Sequence, residues 1–161
     1  MQLPRISHMD ELSPTPSQTV GPFYGFALAF ASASDAAPEG DLRLEGRVLD
    51  GAGEPVADAL LELWEGDQFG RCRTDSEGAY HFSAREPTGR FLNLIVHGRG
   101  ILKPLHTRVY LPGTHEEDDG VLGLVEDSRR ATLFALADGT VLHFDVRLQG
   151  DGETVFFACD G

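Results

Sequence analysis

From Asp41 onward the chain is cut into short alternating segments, each closed by glycine, proline or aspartate turn residues at intervals of about ten positions. Leu42, Leu44 and Val48 fall on one side of a period-two pattern, and Arg43, Glu45 and Arg47 fall on the other. A turn at Asp50–Gly53 separates this strand from a second at Ala59–Trp64, and a turn at Asp75–Gly78 leads into Tyr80–Phe82. Further strands are expected at Phe91–His97, Arg108–Leu111, Leu142–Leu148 and Thr154–Phe157. Nineteen glycines and nine prolines in 161 residues leave little room for long helices. The one helix expected is a short one between about Gly120 and Arg130, on Leu122, Leu124 and Val125. Many short strands with regular turns predict an all-β fold, an antiparallel β-sandwich.

Residues 1–40 lack this alternation and divide from the sandwich, 41–161, as an arm and linker. The arm is rich in Pro, Ser and Thr yet carries Phe23, Tyr24, Phe26 and Phe30, too many aromatic rings for a solvated tail; it needs a surface to lie on. The strand Phe91–His97 makes a related demand. With Leu92, Leu94 and Val96 in the core, Phe91, Asn93 and Ile95 face outward, so the chain's own loops or another subunit must cover them.

Charge excludes some partners. Thirteen Lys and Arg against 26 Asp and Glu give −13, which opposes binding to nucleic acid or to an anionic membrane; any anion site must be local. The apolar stretch Phe26–Ser34 follows Gly21-Pro22 and lacks a basic leader, so it is not expected to be a signal peptide, and no run reaches the ~18 apolar residues of a span. Cys72 and Cys159 are expected to be reduced thiols, and the protein cytoplasmic.

Local motifs for catalysis are scarce. The six histidines show no H-x-H or H-E-x-x-H spacing, there is no C-x-x-C, and no G-x-S-x-G supplies a nucleophile. His143, two residues from Asp145, is expected to be a solvated strand histidine. The run Glu116-Glu117-Asp118-Asp119 lacks the alternating ligands of a calcium loop and is expected to be solvated. Tyr80 and Tyr110 are expected to fill the core.

Several stretches taken together resemble the intradiol ring-cleavage dioxygenases, and within them the iron-free alpha chains of the two-chain members. Thr15 to Phe23 (TPSQTVGPF) is similar to the N-terminal arm of those chains, and Gly46 to Gly51 with Leu61 to Glu65 (LELWE) to the family's sandwich core. Arg99-Gly100-Ile101, Leu105 to Tyr110 (LHTRVY) and Phe144 to Phe157 (FDVRLQGDGETVFF) complete the likeness, which spans most of residues 15–157. It implies a prealbumin- or immunoglobulin-like sandwich of the intradiol dioxygenase type. It also implies a homologous beta subunit, in a higher-order alpha–beta assembly, that holds Fe(III) with two Tyr and two His. There a catechol carboxylate, 3,4-dihydroxybenzoate, is opened by O₂ to 3-carboxy-cis,cis-muconate.

The resemblance further implies which positions matter here. Cys72 (in Gly70-Arg71-Cys72) stands where G-R-Y would supply a tyrosinate, and Phe91 and Asn93 stand where H-x-H would supply two imidazoles; none of the three is a ligand set for iron. No metal and no catalytic residue is therefore expected on this chain alone. Its contribution is a cavity wall: Thr19, Pro22 and Tyr24 from the arm, and Arg99 as the local cation for the substrate carboxylate. The competing expectation is a stand-alone transthyretin-like or carboxypeptidase-regulatory-like sandwich that binds without catalysis. That alternative accounts for Gly46–Phe82 but not for the arm or the C-terminal stretch. A self-sufficient iron dioxygenase fails on ligand count.

Overall fold

The computed structural model describes residues 15–19, 21, 23–25 and 28–158; Pro22, Phe26 and Cys159 lie outside the described residues. Nine strands run in chain order: β1 (Leu42–Leu49), β2 (Leu60–Glu65), β3 (Gln68–Arg73), β4 (Ala79–Ala84), β5 (Phe91–His97), β6 (Leu105–Tyr110), β7 (Leu136–Asp138), β8 (Val141–His143) and β9 (Val146–Arg147). They form two sheets, β4-β1-β8-β7 with β9 also on β1, and β3-β2-β5-β6. The second sheet is antiparallel throughout, whereas β1 runs antiparallel to β4 and parallel to β8 and β9. The sandwich is thus the predicted one, with a mixed pairing at β1.

Inward-facing residues of both sheets, including Leu44, Val48, Leu61, Leu63, Phe82, Leu92, Leu94, Val96 and Val109, are fully buried in one core. Burying a side chain of this size stabilises the fold by ~1.5–3 kcal/mol each, which is why the alternation dictates the faces. On β1 the inward position between Leu44 and Val48 belongs to Gly46, and a methyl there would sit 1.9 Å from the Phe144 carbonyl oxygen. That carbonyl accepts the buried Tyr80 hydroxyl (2.6 Å), and the Asp145 carboxylate accepts the Arg47 N–H (2.8 Å). With the Arg47 N–H given to a side chain, the ladder is interrupted at Phe144–Asp145 while its register holds, Glu45 opposite His143 and Val48 opposite Val146, so the strand expected over Leu142–Leu148 is split into β8 and β9.

Turn chemistry is as the sequence requires. Asp75 Oδ1 accepts the N–H groups of Glu77 and Ala79, each at 2.9 Å, and Gly78 takes φ +70°. Between β6 and β7 the expected helix is reduced to a single turn, α1 (Asp127–Arg130), flanked by 3-10 turns at Leu122–Leu124 and Ala131–Leu133. Leu122 and Leu133 join Tyr110 in a second, smaller core under these turns. The expected strand at Thr154–Phe157 makes one bridge, His106 to Phe157, because the Thr107 hydroxyl takes up the Val155 carbonyl (2.8 Å). Residues 33–37 lie against the sandwich: Ala33 and Ala37 are buried, the Arg71 N–H donates to the Ala33 carbonyl (2.6 Å), and Asp35 bridges Ser83. Among the described residues no helix is long and apolar enough to cross a membrane.

Candidate functional site

One end of the second sheet brings three of the functional candidates together. β2 and β5 are antiparallel with Leu60 opposite His97, so the Ala57–Asp58 turn before β2 lies beside the Gly98–Gly100 turn after β5. Asp58 pairs through Oδ2 with Nε of Arg99, whose side chain is 62% exposed. The arm closes on the same point. The Gly100 N–H donates to Thr19 Oγ1 at 2.8 Å, and the Tyr24 hydroxyl donates to the Asp58 carbonyl and lies 3.1 Å from that of His97. Burial, then the Asp58 carboxylate, pushes the Tyr24 phenol above its ordinary pKa, so it stays a donor at neutral pH. Thr19, Tyr24 and Arg99, singled out from sequence, therefore meet around Asp58, which was not.

Beside this junction lies a charged row on the outer face of the sheet. Glu62 accepts from Arg71 Nε at 2.6 Å, and its other oxygen lies 3.5 Å from His97 Nε2. That nitrogen is enclosed and makes no hydrogen bond. Farther along the same face, Trp64 and Phe69 sit opposite one another about half exposed, with the Arg71 guanidinium 5.0 Å from the Phe69 ring centre.

The three positions compared with iron ligands do not converge. Phe91 and Asn93 lie on the outer face of β5, but Cys72 points into the core between the sheets, where burial raises its thiol pKa and keeps it protonated. Asn93 spends its amide on the Trp64 carbonyl (3.3 Å). Phe91 has no donor atom, and the Arg108 guanidinium lies 4.2 Å from its ring centre. That cation is paired with Asp119 and hydrogen-bonded to the Tyr110 hydroxyl, which itself donates to Asp119. Burial and the Asp119 hydrogen bond push the Tyr110 phenol up to about 12, far from the ionised form a ferric ligand needs. These residues do not fit a ferric ion. Among the described residues no three His, Cys, Asp or Glu side chains form a group that could hold a metal.

Asp119 corrects one expectation. The acidic run 116–119 is not solvated throughout, because its last carboxylate turns inward; burial alone would raise its pKa, but hydrogen bonds from the Tyr110 hydroxyl, the Val121 N–H and Arg108 hold it below the usual carboxylate range. An apolar-periodicity scan cannot register such a residue; its partner Arg108, on the outward side of a strand, was the available signal. Tyr80 and Tyr110 are buried, and His143 is exposed 3.5 Å from Glu45, both as expected.

The family described as "Dioxygenase" matches residues 27–93. The protocatechuate 3,4-dioxygenase alpha chain of Burkholderia cepacia is 36% identical over 92% of this chain and 99% of its own length. The alpha chain of the same name from Pseudomonas putida is 34% identical over 91% and 98%. Among solved structures, the dioxygenase domain of a dioxygenase and carbohydrate-binding protein fusion from Streptomyces sp. SirexAA-E superposes with a TM-score of 0.56 at 21% identity, over 86% of this chain and 99% of that one, a likeness of fold. With more than a third of its residues shared with alpha chains along nearly their whole length, this sandwich with its clasped arm belongs to the intradiol ring-cleavage dioxygenase family.

Proposed function

We propose that this chain is the iron-free alpha subunit of a protocatechuate 3,4-dioxygenase, a cavity wall for a homologous beta subunit that holds the Fe(III). In this reading residues 1–40 are the arm and linker, 41–161 the sandwich, and the assembly is a higher-order alpha–beta oligomer in the cytoplasm. The ring opening of 3,4-dihydroxybenzoate by O₂ to 3-carboxy-cis,cis-muconate belongs to the partner. Thr19, Pro22 and Tyr24 line the cavity, and Arg99 receives the carboxylate.

One observation carries the reading: the clasp in which Gly100 N–H meets Thr19 Oγ1, which joins the arm to the turn bearing Arg99. A chain of net charge −13 repels an anionic substrate over distance, so a mostly exposed guanidinium at a fixed point is the local cation such a substrate requires. The names of the alpha chains above support the reading of a two-chain assembly and of protocatechuate as the substrate class.

The test is Arg99→Ala in the reconstituted two-chain enzyme. Losing a charge-assisted hydrogen bond of about 1.5–3 kcal/mol raises KM for the carboxylated catechol about 10- to 150-fold while iron content holds. Equal losses with carboxylated and carboxyl-free catechols rule out the role given to Arg99. Native mass spectrometry that finds this chain without a Tyr- and His-bearing homologue overturns the subunit assignment itself.

A further inference from the structure

Asp58 holds two things at once. Its side chain pairs with Arg99 through Nε, and its main-chain carbonyl accepts the Tyr24 hydroxyl of the arm. Thr19, five residues before Tyr24, accepts the N–H of Gly100, the neighbour of Arg99. The arm, the turn before β2 and the turn after β5 are thereby closed into one ring of contacts with Asp58 at its centre.

The choice of nitrogen matters. A guanidinium offers five N–H donors in a rigid plane, and a carboxylate can grip it either along the Nε edge or across the two terminal nitrogens. With Nε taken by Asp58, the edge presented to an incoming carboxylate is that of the terminal nitrogens. Arg99 stands on a long stem that is mostly exposed, whereas the Asp58 side chain is 23% exposed and anchored in a turn. An unheld arginine here spends its time among many rotamers in solvent, and ordering it on demand weakens each encounter with the substrate.

We infer that Asp58 is a positioning residue for carboxylate recognition: it orients Arg99 so that the two terminal guanidinium nitrogens face the substrate, and through its carbonyl it locks the arm to the same point. This rests on the function proposed above. The opposite possibility is physical too, since a carboxylate beside Arg99 also competes with the substrate for it, and the two roles move KM in opposite directions.

The experiment uses the reconstituted two-chain enzyme with 3,4-dihydroxybenzoate and catechol as the substrate pair, and Asp58→Ala, Asp58→Asn and Arg99→Ala as variants. Asp58→Ala lowers the ratio of kcat/KM for the carboxylated over the carboxyl-free substrate about tenfold, through KM and not kcat. Asp58→Asn retains an acceptor for Nε and lowers the ratio about threefold, a partial rescue that loss of packing does not produce. A rise in the ratio in both Asp58 variants makes Asp58 a competing anion and overturns the inference. So does an equal fall with both substrates, which is the mark of a misfolded chain. If Arg99→Ala shifts the ratio and Asp58→Ala does not, the inference fails alone; if Arg99→Ala leaves it unmoved, the reading beneath it fails as well.

Discussion

Replacing Arg108 by leucine removes the cation around which the β5–β6 end of the sandwich is built. Arg108 is 23% exposed at its side chain and Asp119 12%, so their pair is largely, but not fully, withdrawn from water. Breaking a fully buried pair costs about 3–5 kcal/mol, and the residual exposure of Arg108 reduces this to about 2–3 kcal/mol. The guanidinium also lies 4.2 Å from the ring centre of Phe91 and 5.8 Å from that of Phe157. Those contacts contribute about 1 kcal/mol together, and leucine restores part of the packing. The net expectation is a loss of about 3 kcal/mol, measured by urea unfolding of the full chain, equivalent to a fall of about 6–12 °C in Tm for a domain of this size. The Arg108→Leu, Asp119→Asn double variant isolates the pair, with an expected coupling of about 1.5–3 kcal/mol that changes little with added salt. A coupling below about 0.5 kcal/mol, or one abolished by salt, refutes the claim that the pair is an internal cross-link.

Tyr24→Phe deletes the hydroxyl that bridges the arm to the carbonyls of Asp58 and His97 and costs arm docking about 1–2 kcal/mol; the Gly100 amide then exchanges with deuterium about 5- to 30-fold faster, and unchanged protection detaches Tyr24 from the clasp. Alkali should weaken the fold through Tyr110. Burial and the Asp119 hydrogen bond push its phenol from the ordinary 10.0 up to about 12, so the stabilisation is complete below pH ~10 and is lost as pH rises toward ~12, by about 2–3 kcal/mol in urea titrations. Tyr110→Phe reduces that slope without removing it, because Tyr24 and Tyr80 are shifted upward as well, chiefly by burial. Gly46→Ala drives a methyl to 1.9 Å from the Phe144 carbonyl oxygen, backbone that cannot step aside cheaply, and is expected to destabilise by about 3–5 kcal/mol; a loss under ~1 kcal/mol in chemical denaturation contradicts the packing described.

Much of the sandwich was legible from residues alone because a strand with one buried face must alternate, and β1 and β5 do so visibly. β3 was not legible. Its inward positions are Gln68, Gly70 and Cys72, a polar, a small and a weakly apolar residue, so no apolar rhythm marks it. Gln68 is tolerated there because its amide meets Glu65, the Arg85 carbonyl and the Arg85 N–H. β7 escaped notice for the opposite reason: it is exposed along its length, with Leu136 at 75%, and buries nothing that a pattern could record. In the candidate site, Thr19, Tyr24 and Arg99 were found through resemblance, whereas Asp58 and Asp119 look in sequence like any surface acids of a strongly acidic chain.

The division follows from the range over which each kind of information acts. Alternation and turn chemistry are local, set by sterics and burial within a few residues, and they were enough to announce a β-sandwich; the comparison of Phe91 and Asn93 with ferric ligands came only through the family resemblance. The meeting of Thr19 with Gly100 spans 81 positions, and that of Tyr24 with Asp58 spans 34. Such contacts exist because β2 and β5 are neighbours in one sheet and bring their adjoining turns to the same edge, where the arm can close over them. No short-range pattern encodes that adjacency; packing the two sheets around a common core does.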